Sequence, residues 1–273
     1  MTTPELTSTA NPRVKAVVRL RDRRERDATG LALVDGVREI GRAMDAGVGV
    51  VETFTATSLT TGADASALLA RLTASGHPAT EVSEQVLVRI AFGDRTDGLV
   101  AVVRMPRLTL ADIHFPAPPA AALIAVVEGV EKPGNLGAIL RSADGAGLDA
   151  VIAADPRTDL ANPNVIRASL GTVFARPVVP ASTKETIAWL RDQGLTMVAA
   201  RVDGSVDYAA QDLRGPVAIV LGAEAEGLGA AWDAPDVRGV GLPMHGVADS
   251  LNVSAAAAVL FYEARRQRMA SAR

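Results

Sequence analysis

The chain has 273 residues, 48% of them hydrophobic, and a formal net charge of −3. That size supports one large domain or two modest ones, each with its own core, and the charge balance argues against polyanion binding over the whole surface. Cysteine is absent and histidine is confined to His77, His114 and His245, which removes disulfides, thiolate zinc sites, iron–sulfur clusters and a thiol nucleophile, and leaves a metal centre or a serine–histidine–aspartate triad poorly supplied.

No apolar run approaches membrane-span length, and the chain does not open on a basic stretch followed by an apolar one. The expectation is a soluble, cytoplasmic protein with no membrane segment and no metal. Residues 1–10 read as a polar, poorly ordered terminus. Charge is uneven beyond it: Arg13, Lys15, Arg19, Arg21, Arg23, Arg24 and Arg26 stand against Asp22 and Glu25. Such a stripe fits either contact with nucleic-acid phosphates or a solvated helix face.

Taken in chain order, Val14, Val17, Val18 and Arg21 have turn spacing and predict a helix from Pro12 to about Arg26. A short strand at Ala32–Val34, a helix at Val37–Ala46 stopped by Gly47, and a strand at Val50–Thr55 follow. A helix at Ala63–Ser75, a short helix at Glu84–Ala91 and a strand at Leu99–Val103 complete a small α/β domain, residues 1–105. The segment after it carries Pro106, Pro116, Pro118 and Pro119 and reads as a linker, 106–120.

The second domain, 121–273, opens with the apolar run Ala121–Val127, read as a buried parallel strand. A helix near Leu136–Ala146, a strand at Ala150–Ala153, a helix near Pro163–Leu170 and a strand at Pro177–Val179 come next. A helix at Lys184–Gln193, strands at Leu195–Ala200 and Val217–Leu221, and a final helix from about Asn252 to Arg268 close the pattern. Alternating strands and helices predict a mostly parallel sheet with helices on both faces.

This α/β domain lacks the usual phosphate cradles. No G-x-x-x-x-G-K-[ST] occurs, and the turn from Glu128 to Gly137 does not fit G-x-G-x-x-G. Three other segments are unusual. In Pro133–Arg141, Asn135 is placed as a helix N-cap and Arg141 in the helix's second turn. In Val220–Leu228 an apolar strand ends in a glycine-rich turn with Glu224 and Glu226. In Gly241–Ser254 a loop with Pro243, Met244 and His245 leads through Ser250, Leu251 and Asn252 into an alanine-rich helix. Each has a plain structural reading: a cap with a surface charge, a turn with exposed acids, a capped helix entry.

Together, in order and spacing, the three segments resemble the three motifs of the SpoU/TrmH family of RNA ribose 2′-O-methyltransferases, from Ala121 to the C-terminus. The N-terminal region, through Asn11-Pro12, Val14-Lys15 and Val34-Asp35-Gly36-Val37-Arg38-Glu39, resembles the ribosomal-protein-like substrate-binding domain often attached to that family; Asp35 stands where Glu is more usual. The resemblance implies an α/β fold with a deep trefoil knot, which periodicity alone does not predict because knots are rare. It implies S-adenosylmethionine as cofactor, contacted by Gly222, Leu242 and Leu251 largely through backbone groups, with Ala200 and Met244 as neighbours. It places Asn135, Arg141, Glu224, Ser250 and Asn252 in the active site.

Arg141 is a candidate base by that resemblance. An ordinary arginine, however, loses its proton near neutrality only at a cost of about 7 kcal/mol, so a clamp on the neighbouring phosphate is the simpler role. Histidine suits neutral proton transfer, yet His245 occupies no fixed family position and reads as a loop residue. The family is dimeric, and Arg167 stands where relatives carry an arginine across the dimer interface to contact RNA. With that resemblance the stripe Arg19, Arg23, Arg24 and Arg26 gains weight as an RNA contact. The extra domain favours ribosomal over transfer RNA, and the nearest general resemblance is to large-subunit (23S) ribosomal RNA enzymes, some of which confer antibiotic resistance. A transfer-RNA methyltransferase and a non-catalytic RNA-binding or ribosome-assembly protein are the alternatives.

Overall fold

The computed structural model describes residues 6–93, 97–115, 122–204 and 206–271. The expected loose terminus falls partly outside these residues, as do Pro116, Pro118 and Pro119 of the expected linker and Ala121 of the first buried strand. In chain order the first elements are α1 (Pro12–Arg19), α2 (Arg23–Thr29), β1 (Leu31–Asp35), α3 (Val37–Asp45), β2 (Val50–Thr55), α4 (Ala63–Ala74), β3 (Thr80–Glu81), α5 (Glu84–Ile90) and β4 (Leu99–Arg104). They are followed by β5 (Leu123–Glu128), α6 (Pro133–Ala146), β6 (Ala150–Ala154), α7 (Pro163–Ala168), β7 (Val178–Ala181), α8 (Thr183–Asp192) and β8 (Thr196–Ala200). Then come β9 (Val206–Asp207), β10 (Val217–Leu221), β11 (Val237–Gly241) and α9 (Val253–Ser271).

These elements form two compact units. One comprises Met1–Pro106 and Asp159–Ala175; the other comprises Arg107–Thr158 and Arg176–Arg273. The division differs from the sequence expectation in two places: Asp159–Ala175, α7 included, packs with the N-terminal elements, and Arg107–Phe115 of the expected linker packs into the second unit, with Ile113 in its core.

In the first unit a four-stranded sheet runs in the order β1-β4-β2-β3, with β4 antiparallel to β1 and β2. Its apolar face meets Val14, Val17 and Leu20 of the first helical stretch and Val86, Leu87 and Ile90 of α5, around Leu33, Phe54, Val100 and Val102. The helix expected from Pro12 to Arg26 is two helices. Leu20 ends α1, and the Asp22 carboxylate caps α2 by accepting from Arg24 N at 2.8 Å. The break turns Arg26 inward. Its guanidinium is 4% exposed and donates to both oxygens of Asp159, at 3.0 and 2.7 Å, and to the carbonyls of Leu20 and Arg21. This corrects the expectation that Arg26 touches RNA: all three of its guanidinium nitrogens donate inside the unit, and extracting a buried, paired charge is costly. The helix expected to reach Leu170 ends at Ala168, because Leu170 adopts φ 53° and its carbonyl accepts from Arg42 Nη1 at 2.6 Å. Such a left-handed leucine holds only where neighbours fix it.

Asp35, at the end of β1, is the least satisfied group of this unit. One carboxylate oxygen accepts from Phe92 N at 2.8 Å, and the other is buried without a partner among the described residues. Burial pushes the carboxyl up to about 6, and the charges of Asp97 and Glu39 add to the rise; the Phe92 N–H and the Arg167 charge oppose it. An acid raised in the folded state contributes stability that is present below its ordinary range and lost as the pH climbs through about 6. Asp35→Asn removes that dependence while an amide oxygen still accepts from Phe92. The variant is therefore expected to be more stable than wild type at neutral pH, by up to about 3 kcal/mol at 1.36 kcal/mol per unit, so that it unfolds at a higher temperature, and to lose the advantage near pH ~4. Thermal unfolding of both proteins across that range checks it; a pH-independent difference refutes it.

The second unit is built on seven parallel strands in the order β7-β6-β5-β10-β8-β11-β9. Apart from Glu128 at the end of β5, its central strands β5, β6 and β10 are apolar and buried on both faces, the pattern of parallel strands covered on each side. Ile124, Val126, Ile152, Val179, Leu190, Met197, Val220 and Trp232 make the core. Two strands escaped the sequence reading. β9 has only two residues, and β11 is Val-Arg-Gly-Val-Gly, whose arginine and glycines interrupt any apolar run. Strand order reverses between β5 and β10, and in such sheets ligands sit outside the carboxyl ends at that switch point.

Candidate active site

Among the expected site residues of the second unit, Ala200, Gly222, Glu224 and Leu242 lie at or just beyond the carboxyl ends of the central strands. Asn135 and Arg141 ride on α6 after β5, Glu224 follows β10, Ala200 ends β8, and Leu242 follows β11. Register explains the convergence. Val220 pairs with Ala199, and Ala200 with Val240, so β10, β8 and β11 end level.

α6 starts at Pro133 with Lys132 as its cap residue, one turn before the sequence expectation. Proline is preorganised for that first position. Asn135 is consequently the third residue of the helix rather than its cap, and its side chain is free for other work. Its Nδ2 donates to Glu224 Oε1, and its Oδ1 accepts from Asn252 Nδ2 at 3.3 Å. Asn252 in turn caps α9, its Oδ1 accepting from Ser254 N at 2.9 Å and Ser254 Oγ at 2.6 Å. Glu224, Asn135 and Asn252, separated by up to 117 positions, thus form one hydrogen-bonded row.

The other two expected catalytic residues stand apart from the row. Arg141 is in the third turn of α6, not the second, and is about 9 Å along the axis from Asn135 at 1.5 Å per residue. It is exposed and makes no hydrogen bond or ion pair with a described residue. Ser250 is exposed and likewise has no side-chain partner among the described residues.

The residues expected to contact the cofactor include glycines at two tight turns. The turn after β10 is closed by two backbone hydrogen bonds between Ala223 and Gly227, each 3.0 Å. A Cβ at Gly222 would collide with the Gly227 backbone, and one at Gly241 would sit 2.7 Å from the Gly204 carbonyl oxygen. Only glycine permits these turns to close so tightly. Leu242 and Met244 are half-buried and Leu251 is 41% exposed. Small and apolar side chains around backbone donors and acceptors fit an adenosine and a methionine moiety, and a cofactor without phosphate needs no phosphate cradle.

Two features were missed from the sequence. Arg157 pairs with Glu131, before α6, and with Glu226, in the turn after β10; the two carboxylates hold its guanidinium above the ordinary value. Nothing local in the sequence marks this bridge. Glu128 ends β5, and its signal was a lone acid terminating a wholly apolar strand. Its Oε1 accepts from Thr183 Oγ1 at 2.7 Å and Trp232 Nε1 at 2.9 Å, and its Oε2 from Gly229 N at 2.8 Å.

In the first unit Arg19, Arg23 and Arg24 are exposed on α1 and α2, with Arg19 beside Glu25 and Arg23 beside Asp27, each at 3.6 Å. Arg167 is half-buried and donates to the Phe92 carbonyl. Among the described residues no group of histidines and acids could hold a metal ion, and no helix is long and apolar enough to cross a membrane.

A row of Asn, Glu and Asn side chains beside tight glycine turns at the switch point of a parallel sheet, with no phosphate loop, defines a class: α/β domains that bind a ligand at the strand ends. Comparison with known proteins narrows it. Residues 122–262 match the SpoU rRNA Methylase family and residues 11–101 the MRM3-like substrate binding domain. The chain is 28% identical to 23S rRNA (guanosine(2553)-2′-O)-methyltransferase RlmP of Bacillus subtilis, over 96% of this chain and 99% of that one. A crystal structure of an RNA 2′-O ribose methyltransferase superposes with a TM-score of 0.85 at 44% identity, covering 97% of this chain and all of the other. The AdoMet-bound SpoU methyltransferase AviRb of Streptomyces viridochromogenes gives 0.85 at 29% identity, covering 95% of this chain and all of that one. The chain belongs to the SpoU family; it is an RNA 2′-O-methyltransferase that uses S-adenosylmethionine.

Asn252 joins two roles that substitution can separate. Asn252→Ala removes both the helix cap and the bond to Asn135, and is expected to cost about 1 kcal/mol of stability together with methyl transfer. Asn252→Asp keeps the capping oxygen but has no N–H to donate to Asn135. Its melting temperature should return to wild type while transfer stays depressed; recovery of both would show that the bond to Asn135 is dispensable.

Proposed function

We propose that the chain methylates one ribose 2′-hydroxyl of large-subunit (23S) ribosomal RNA. The hydrogen-bonded row Glu224–Asn135–Asn252 beside the tight glycine turns carries the reading. A non-catalytic RNA-binding protein would have no need of that row. Ribosomal over transfer RNA is supported by the N-terminal substrate-binding unit and by RlmP, a 23S enzyme matched along nearly its whole length.

The cofactor supplies a methyl group already activated as a sulfonium, so the protein's task is to orient the hydroxyl and stabilise its developing charge. Asn135 and Asn252 present amide groups from two helices, and Glu224 fixes the Asn135 amide. Ser250, two residues before Asn252 on an exposed loop, is the adjacent hydroxyl partner. Arg141, charged and without a side-chain partner among the described residues, is available to clamp the phosphate next to the target ribose. Gly222, Leu242 and Leu251, with Ala200 and Met244, hold the cofactor.

The same reading makes the enzyme a homodimer. Ala255, Val259, Tyr262 and Met269 form an exposed apolar stripe along α9, at i, i+4 and i+7 spacing, a surface suited to a second copy, with Arg167 reaching the partner's RNA. It also takes the C-terminal course as a trefoil knot: β11 pairs on the far side of β8, yet α9 returns to pack against α6 and β10.

Methyl transfer from labelled cofactor to total RNA of a deletion strain, followed by mapping of the 2′-O-methyl position, tests the substrate. Label is expected in 23S RNA; label confined to transfer RNA overturns the reading. Sensitivity of the deletion strain to ribosome-targeting antibiotics separates a resistance role from routine modification. Arg141→Ala should lower transfer at least about a hundredfold with cofactor affinity unchanged by calorimetry; near-normal transfer would exclude both clamp and base. Replacing Arg23 and Arg24 with alanine should weaken RNA binding uniformly and flatten the plot of log K against log salt by roughly one to two. An unchanged slope would place RNA elsewhere.

A further inference from the structure

Glu128 has no role in the chemistry described above and no ion-pair partner among the described residues, yet it accepts three hydrogen bonds from three different parts of the second unit. Thr183 opens α8, Trp232 is a fully buried core residue, and Gly229 ends the turn that carries Glu224. The Thr183 hydroxyl and the Trp232 N–H are buried donors, and this carboxylate satisfies both.

We infer that Glu128 is a positioning residue for methyl transfer, holding the Gly222–Gly229 turn so that Glu224 meets Asn135. The turn has two fixed points. Its neck is closed by the paired bonds between Ala223 and Gly227, and its far end is tied by Gly229 N to Glu128 Oε2. Glu224, Ala225 and Glu226 form the exposed tip between them. β5 and β10 are paired strands, Leu221 level with Val127, so the anchor lies one residue beyond the paired stretch, at the very end of the strand that leads to Asn135. Glu128 therefore references the Glu224 turn to the same strand end from which α6, with Asn135, departs. Charge-assisted bonds to a carboxylate are stronger than neutral ones, and the core donors Trp232 and Thr183 keep the carboxylate from following the loop.

The inference rests on Glu224 acting in methyl transfer, and its test separates the two. In Glu128→Gln one amide oxygen can still accept from Thr183 and Trp232, but the amide nitrogen meets the Gly229 N–H donor to donor. Hydrogen exchange on the full-length protein without RNA should show faster exchange across residues 223–229 and unchanged protection in β10. Transfer to total RNA should fall about ten- to a hundredfold in kcat, the scale of a displacement near 1 Å, with the cofactor Kd within about twofold. Added to Glu224→Gln, the substitution should lower kcat no further, because both act through one side chain. Unchanged exchange in the turn overturns the inference whatever the RNA result. Loss of protection in β10, or additive losses in the double variant, reduces Glu128 to a general structural residue and also overturns it. A Glu224→Gln enzyme with normal kcat removes the role of Glu224, and the positioning role with it.

Discussion

Parallel pairing of β5 with β10, at the middle of the seven-stranded sheet, is the constraint on which the rest of this protein depends. Both strands are buried on both faces, so neither can shift register without exposing apolar side chains. Their carboxyl ends are thereby held side by side, and the chain leaves them in different directions. Asn135 follows one strand and Glu224 the other. Alongside, β8 and β11 end level with β10, and the residues proposed to hold the cofactor follow those ends. Residues more than a hundred positions apart meet because strand register brings them together, not because their neighbours in the chain direct them.

The chemistry suits a site so placed. No histidine, cysteine or metal cluster gathers at the switch point among the described residues, and the reaction does not require one, because the electrophile arrives activated. What remains is orientation. Amide side chains that are themselves hydrogen-bonded serve it, since their rotamers are already selected before RNA binds. Asn252 is economical in this respect: one side chain caps α9 with its oxygen and reaches Asn135 with its nitrogen. Arg141 is the opposite kind of residue, exposed, charged and without a side-chain partner among the described residues, which suits the phosphate contact proposed for it.

Much of the architecture was legible before any coordinates. The long apolar runs of β5, β6 and β10, and the turn-spaced helices between them, predicted a parallel sheet. β11 was not legible because Arg238, Gly239 and Gly241 carry no periodic signal and their strand is defined by its neighbours alone. The helix from Pro12 to Arg26 was misread for a related reason. No proline or glycine marks the break after Leu20, and the Asp22 cap that divides the two helices is a local hydrogen bond. The resemblance to three family motifs named the site residues, but not which of them touch. Motif order is silent on the row linking Asn135 to both Glu224 and Asn252, on Glu128 beneath the Glu224 turn, and on Arg157 between Glu131 and Glu226.

By itself the sequence determined the class of fold, the glycines that the tight turns at Gly222 and Gly241 require, and the residue types available for chemistry. These follow from local backbone preference, hydrophobic periodicity and composition. Only the tertiary structure decided what each charged or polar group does. Arg26 belongs to a basic stripe in the sequence and to a buried ion pair with Asp159 in the fold. Asp35 is an ordinary acid at a strand end until burial raises it to about 6. Segment Asp159–Ala175 follows the strands of the second unit in order and packs with the first. In each case the deciding quantity is desolvation and the nearest partner, and both are set by residues far away along the chain.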